Sequence, residues 1–332
     1  MDNLTHAITG LMLSRAGLDR WCPRAALILV IAANAPDIDI AAVVGGPAAY
    51  LDHHRGATHG LAMLPVVALL PVLIVGLLRR TGFRWGRAWL VSLIGVASHL
   101  LLDLTNIYGI RLLAPFSNRW FALEITSVFD AWIWGVGLLA VGWPLLARLV
   151  NAEIGARTSP GRGMAVFFLS FLLLYDGARF LLRQRAVATL EAHLHGGGTP
   201  MRAAALPGSM NPFRWTGVVE TRGLYMLHRM NLRSGFDPTA GVRYFKPAHS
   251  PEMEMARRTP AFETLLRFSR YPLWRQIVEP LPEGGVKVQA MDLRFGIPWE
   301  GRFTATAILD ANRRVVRSWY QFEDPGAPPR FR

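Results

Sequence analysis

Apolar positions fall in long blocks through residues 1–182 and in short alternating stretches beyond residue 200. The blocks at 25–44, 61–78, 88–105, 131–147 and 163–182 approach the length of about 20 residues that a helix needs to cross a bilayer. The uncharged run 61–78 is the strongest membrane-helix candidate. A further segment, 4–18, is apolar but short, with Thr5 placed to cap it and Gly17 near its end. It is preceded by Asp2 and by no Lys or Arg, so it reads as a retained helix rather than a secretory signal. The pattern predicts a mainly α polytopic bundle of four to six embedded helices over residues 1–185. Gly196-Gly197-Gly198 and Pro200 mark 186–200 as a linker. Period-two stretches around 215–220, 225–230, 286–294, 302–309 and 314–321, with helical spacing at 261–268, predict a small soluble α+β domain with an antiparallel sheet at 201–332.

Composition agrees. Apolar residues make up 52% of the 332 positions, above the about 45–50% usual for soluble chains. Cys22 is the only cysteine, which excludes an intrachain disulfide and any zinc site built on cysteines. A net charge of +13 raises the question of nucleic acid. The arginines are scattered and form no recognised binding motif, so no nucleic-acid partner is expected. Loops beside membrane helices and contact with anionic lipid account for the charge instead.

The arginines also orient the helices. Connection 79–87 holds Arg79, Arg80, Arg84 and Arg87 with no acid, and segments 15–24 and 148–162 each set three arginines against one acid. Loops 46–60 and 106–130 are balanced by Asp52, Glu124 and Asp130. The positive-inside rule then places the first three on the cytoplasmic side and the last two outside. The expected location is a bacterial cytoplasmic (inner) membrane, multi-pass.

That orientation gathers polar motifs at one outer face: Thr5-His6, Asn34-Ala35-Pro36-Asp37-Ile38-Asp39, His54-Arg55-Gly56-Ala57-Thr58-His59 and Ser98-His99-Leu100-Leu101-Leu102-Asp103. Imidazoles and carboxylates at a membrane are costly unless they bind something or each other. His99 and Asp103 stand four apart and share one helix face, which makes them the firmest ligands. Asp37 and Asp39 follow a proline where a helix ends, and His59 closes a glycine-containing loop. Mixed nitrogen and oxygen donors suit a divalent metal, zinc first, with manganese or iron(II) also possible. Arg55 beside such a site is placed to hold a phosphate or other anion. Asp176 and Arg179 on the last helix read as an internal ion pair. His193, His195, His228 and His249 show no partner spacing and read as surface or structural.

The stretches DNLTHAITG, NAPDID, HRGATHG and SHLLLDLTNIYG, in this order, resemble the YdjM-type family of membrane-bound metal-dependent hydrolases. The resemblance covers about residues 1–145 and extends distantly to zinc-dependent phospholipase C. It implies His6, Asp37, His59, His99 and Asp103 as metal ligands, with Asp39 and His54 as further ligands or supports. The expected activity is hydrolysis of a phosphoester or other ester of a lipid-derived substrate near the membrane lipid, with Asp37, Asp39 and Arg55 in the chemistry. The alternative is a non-enzymatic metal-binding scaffold or regulator whose C-terminal domain binds a partner.

Overall fold

The computed structural model describes residues 1–78, 83–153, 161–296 and 303–322. The arginine-rich connections 79–87 and 148–162 therefore lie partly outside the described residues, at 79–82 and 154–160, as does position 302 of the expected strand 302–309. Residues 1–39, 55–185 and 207–214 form one compact unit, and residues 40–54, 186–206 and 215–332 a second.

The helices run in chain order as α1 (Asn3–Leu13), α2 (Asp19–Trp21), α3 (Ala25–Ala32), α4 (Pro47–His53), α5 (Leu64–Val67), α6 (Leu69–Leu77), α7 (Trp85–Thr105), α8 (Ala131–Glu153), α9 (Arg162–Glu191), α10 (Pro251–Arg257) and α11 (Pro260–Phe268). Among the described residues four spans are long and apolar enough to cross a membrane: Ala25–Gly45, Trp85–Thr105, Ala131–Leu149 and Arg162–Glu191. A fifth exists only if the broken segment Leu64–Leu77 is counted with the one before it. The run 61–78, the strongest candidate from hydropathy, is thus interrupted between α5 and α6 and is too short alone.

The cap of α1 is Asp2, not Thr5: the Asp2 carboxylate accepts from the Thr5 backbone N–H at 3.0 Å and from its hydroxyl at 2.7 Å. Helix α1 buries Ile8 and Met12 one turn apart on one side and His6 on another. Glycine permits the closest helix crossing here. A Cβ on Gly10 would lie 2.6 Å from the Leu29 carbonyl oxygen of α3, and one on Gly95 of α7 2.6 Å from the Ala32 methyl. Ile8, Met12, Leu102, Ile133, Ala140, Ala165, Phe168 and Leu172 fill the space between α1, α7, α8 and α9.

After α3 the α-helical backbone stops. Pro36 has no N–H to donate and disfavours α geometry in the residue before it, so the chain continues as a 3-10 helix over Ala35–Gly45. Residues 207–214 are a loop that joins the helical unit. Ser209 O accepts from the Ala131 N–H at 3.0 Å at the start of α8. Arg179, fully buried, donates to Ile125 O at 2.8 Å, Pro212 O at 2.5 Å and Gly208 O at 3.4 Å.

The C-terminal portion is mainly β rather than α+β. One four-stranded sheet runs β1 (Arg202–Pro207), β2 (Arg214–Glu220), β3 (Leu224–Asn231), β4 (Val242–Phe245) in that order, and a second runs β5 (Pro272–Glu279), β6 (Gly285–Asp292), β7 (Thr304–Leu309), β8 (Val315–Gln321). In the second, Val288 stands opposite Ala307 and Ala290 opposite Ala305, all buried. Helices α10 and α11 pack on the second sheet. Ser250 caps α10 through Met253 N at 3.2 Å, and α11 buries Phe262, Leu265 and Phe268. Residues 186–191 of the expected linker continue α9 instead.

Candidate metal centre

The candidate site is assembled from three parts of the helical unit. Its first part is the break after α3. Asn34 turns its amide back to Val30 O at 2.8 Å, and the 3-10 segment that follows carries Asp37 and Asp39. Its third part is α7, whose buried face carries His99 and Asp103 one turn apart. Between them in sequence lies Arg55–His59, a loop with two backbone constraints. Arg55 takes a left-handed φ of 59°, a conformation that costs a non-glycine residue energy and has to be held. It is held from both sides: its N–H donates to Asp39 Oδ2 at 2.9 Å, and its carbonyl accepts from the Arg111 N–H at 3.0 Å. At Gly60 a Cβ would fall 2.3 Å from Ala114 O, so only glycine lets the loop lie this close.

Four side-chain atoms converge. His59 Nε2 and His99 Nε2 are 3.0 Å apart, and each lies 3.6 Å from Asp37 Oδ1 and 3.4 Å from Asp103 Oδ2. Asp37, His59, His99 and Asp103 offer atoms that all fall within 4.8 Å of one another. Metal–ligand bonds of about 2.0–2.2 Å put neighbouring donors roughly 3.0–3.5 Å apart, which matches these edges.

The far side of each imidazole fixes its tautomer. His99 Nδ1 donates to Ala33 O at 2.7 Å, since a carbonyl can only accept. His59 Nδ1 lies 3.0 Å from Thr58 Oγ1 and 3.2 Å from Asp39 Oδ2, while the Thr58 hydroxyl is donated to that same carboxylate oxygen at 2.6 Å. Both Nδ1 atoms therefore carry hydrogen, which leaves each Nε2 as the atom that a ring in its neutral form would offer to a ligand. Carboxylates and carbonyls behind ligating histidines do this in metal sites generally. Asp103 Oδ2 is buried with no hydrogen-bond partner. Two imidazole nitrogens and two carboxylate oxygens thus face one point. A cation satisfies all four at once.

Asp103 Oδ1 is occupied on its other side by Arg55 at 3.1 Å, Asn106 Nδ2 at 3.3 Å and the Met1 amino group. His6 stacks on His99 with centroids 3.9 Å apart, its Nε2 3.4 Å from Asp103 Oδ1, and neither of its ring nitrogens makes a hydrogen bond among the described residues. Asp39 faces His59 Nδ1 and Arg55 N, so it stands behind His59. His54 caps α4 in the other compact unit and stacks on Tyr50 at 4.5 Å. Thr58, Asn106, the Ala33 carbonyl and the Met1 amino group escaped the sequence reading. Thr58 and Asn106 had a signal, each lying within three residues of a candidate ligand.

The four later histidines divide. His195 and His228, which showed no partner spacing, are buried and joined at 2.9 Å, with His195 Nε2 against Leu190 O at 2.8 Å. Asp176 Oδ1 is buried without a hydrogen-bond partner, and Arg179 serves main-chain carbonyls.

The sequence is 29% identical over 336 residues to Uncharacterized protein YfhP of Bacillus subtilis (strain 168), covering 96% of this chain and 94% of that protein. No solved structure matches the chain. The profile of the YdjM inner membrane protein family matches residues 1–186, more than half of the sequence, and the chain belongs to that family.

Proposed function

We propose that the chain is a membrane-bound metal-dependent hydrolase, and that Asp37, His59, His99 and Asp103 hold its divalent ion. The observation that carries this is the convergence of four acceptor atoms with tetrahedral-like spacing, two of them imidazole nitrogens locked in the ligating tautomer. Two nitrogens and two carboxylate oxygens fit zinc, and they fit manganese or iron(II) with positions to spare. Two aspartates balance a divalent charge with both rings neutral. When bound, such an ion supplies Lewis acidity and a water acidified toward neutrality.

The protein's own groups divide the work. His99 and Asp103 on α7 give a preset pair, and Asp39 with Thr58 orients His59. The Asp37 side chain, 14% exposed against 0% for the other three, opens the cluster to solvent and is placed to pass a proton between site and water. The distribution of arginines supports a site facing the extracytoplasmic side. A substrate reaching it there is an ester or phosphoester of a lipid.

One observation favours a second reading. Four protein donors are typical of structural zinc, whereas catalytic zinc keeps a position open. That reading is a metal-holding scaffold or regulator. The test uses the full chain purified in detergent. Metal content is measured by mass spectrometry, and metal-loaded parent and Asp37→Ala proteins are offered phosphoester lipids. The hydrolase reading expects bound metal and turnover lost in the variant. Bound metal without turnover in any lipid class points to the scaffold, and a protein that neither retains metal nor gains stability from zinc or manganese defeats both.

A further inference from the structure

Resting on the metal reading above, we infer that Arg55 is a positioning residue: it holds Asp103 as a one-atom ligand and does not receive the substrate's anion. An arginine beside a hydrolytic metal ordinarily suggests phosphate recognition, because its fork matches a phosphate's oxygens. Here the fork is already engaged. One terminal nitrogen donates to Asp103 Oδ1 at 3.1 Å, and the other to Asn106 Oδ1 at 3.1 Å and Gly109 O at 3.4 Å. The guanidinium plane lies over the Tyr108 ring at 4.8 Å. Two N–H groups remain, one on the nitrogen bound to Asp103 and one on Nε, which is buried without a hydrogen-bond partner among the described residues, and the residue as a whole is 5% exposed. A substrate oxyanion would have to displace a carboxylate to reach it.

What this contact does to Asp103 follows from the two oxygens. Oδ1 accepts from Arg55, Asn106 and the Met1 amino group, while Oδ2 is buried, has no hydrogen-bond partner among the described residues and lies 3.4 Å from both imidazole nitrogens. A carboxylate free at both oxygens can chelate through both or rotate away. Tied at one, it offers a single atom in a fixed direction. Asn106 is fixed in turn, since its Oδ1 also accepts from Tyr108 N at 2.8 Å and Gly109 N at 3.1 Å. The left-handed backbone of Arg55 belongs to the same device: it turns the N–H to Asp39 and sends the side chain to Asp103, so one residue supports both aspartates. Supports of this kind are worth about 10–100-fold in metal affinity.

The experiment compares full-length parent, Arg55→Gln and Arg55→Lys in detergent after chelator treatment. Zinc affinity is read by competition with a chromophoric chelator, cobalt-loaded protein gives the ligand-field spectrum, and inorganic phosphate is titrated onto the zinc-loaded forms. Arg55→Gln is expected to bind zinc about 10–100-fold more weakly with an altered cobalt spectrum, as Asp103 gains freedom to chelate. Arg55→Lys keeps a cation beside Oδ1 and should recover most of that loss. Phosphate affinity of the loaded protein should be the same in all three. Parent-like zinc affinity and cobalt spectrum in Arg55→Gln, with phosphate binding lost, would overturn the inference. If Arg55→Gln does not fold, Arg55→Lys decides: unchanged zinc affinity with lost phosphate binding overturns it, and slightly weakened zinc with unchanged phosphate upholds it. A parent that binds no divalent metal would remove the metal reading itself, a result separate from either.

Discussion

Asp103→Asn is the sharpest perturbation of the candidate metal centre, because it keeps the shape and changes only charge and hydrogens. The amide has two ways to sit. With its carbonyl toward the imidazoles, its NH2 faces Arg55 and Asn106 Nδ2, which are themselves donors at 3.1 and 3.3 Å from that position. That orientation forfeits a hydrogen bond to a charged group, about 1.5–3 kcal/mol, and a neutral one of about 1 kcal/mol. With the amide flipped, its carbonyl accepts from Arg55 and its NH2 points at His59 Nε2 and His99 Nε2, each 3.4 Å away. The flipped form satisfies both sides without an ion, and it puts hydrogens where the ion belongs. To bind metal the variant has to make up the difference, roughly 2.5–4 kcal/mol, or about 60–700-fold in affinity at about 1.4 kcal/mol per tenfold. Loss of one of two balancing negative charges acts in the same direction. The assay is zinc or manganese titration of chelator-treated full-length protein, with thermal unfolding beside it. Metal should raise the melting temperature of the parent and leave that of the folded variant unmoved. A variant that binds within tenfold of the parent would refute the reasoning, and with it the claim that Asp103 Oδ2 faces an ion.

Two further outcomes follow from packing and burial away from that cluster. Burial, and the neighbouring His195, hold His228 at about 4, below its ordinary 6.5. The unfolded chain therefore takes up this proton first as pH falls. The contribution of His228 is fully present above about 6.5 and is lost progressively toward about 4, at up to about 1.4 kcal/mol per unit of displacement. Melting of the intact protein between pH 7 and 4 should show a smaller acid loss in His228→Asn than in the parent, and equal slopes would count against it. Gly10→Ala puts a methyl 2.6 Å from the Leu29 carbonyl oxygen, backbone against backbone, and should lower stability by about 1–3 kcal/mol as α1 and α3 separate. An unchanged melting temperature in detergent would show that the crossing tolerates a side chain.

How much of this was written in the chain differs by element. The runs at 88–105, 131–147 and 163–182 emerged as α7, α8 and α9 because a continuous apolar run of that length has few other solutions in a bilayer. The run 61–78 did not, since hydropathy is blind to backbone, and Pro65 and Pro71 stand where an unbroken helix would need N–H donors. Strands β2, β3, β6, β7 and β8 were announced by alternation. Strands β1, β4 and β5 were not: Ala203-Ala204-Ala205 carries no alternation, β4 is only Val242–Phe245, and β5 opens on Pro272. Missing these strands is what made the C-terminal portion look α+β.

The site was legible where spacing alone sets geometry and illegible where a partner sets it. His99 and Asp103 share a helix face whatever else the protein does, so their joint presence at the cluster followed from the number four. Asp37 and Asp39 look equivalent in the sequence, yet the 3-10 backbone sends one carboxylate into the cluster and the other behind His59. Arg55 looked like an anion receptor because nothing in the hexapeptide shows that Asn106, more than fifty residues away, lies within reach. The same hexapeptide explains why its spacing is what it is. Arg55 and His59 have to reach opposite sides of Asp103, Oδ1 at 3.1 Å and Oδ2 at 3.4 Å, from one short turn. A left-handed residue, two glycines and a threonine accomplish that turn: Arg55 reverses it, Gly56 and Gly60 let it lie flat, and Thr58 fixes the ring at its end. What reads in the sequence as a polar loop between two apolar runs is a clamp around one carboxylate.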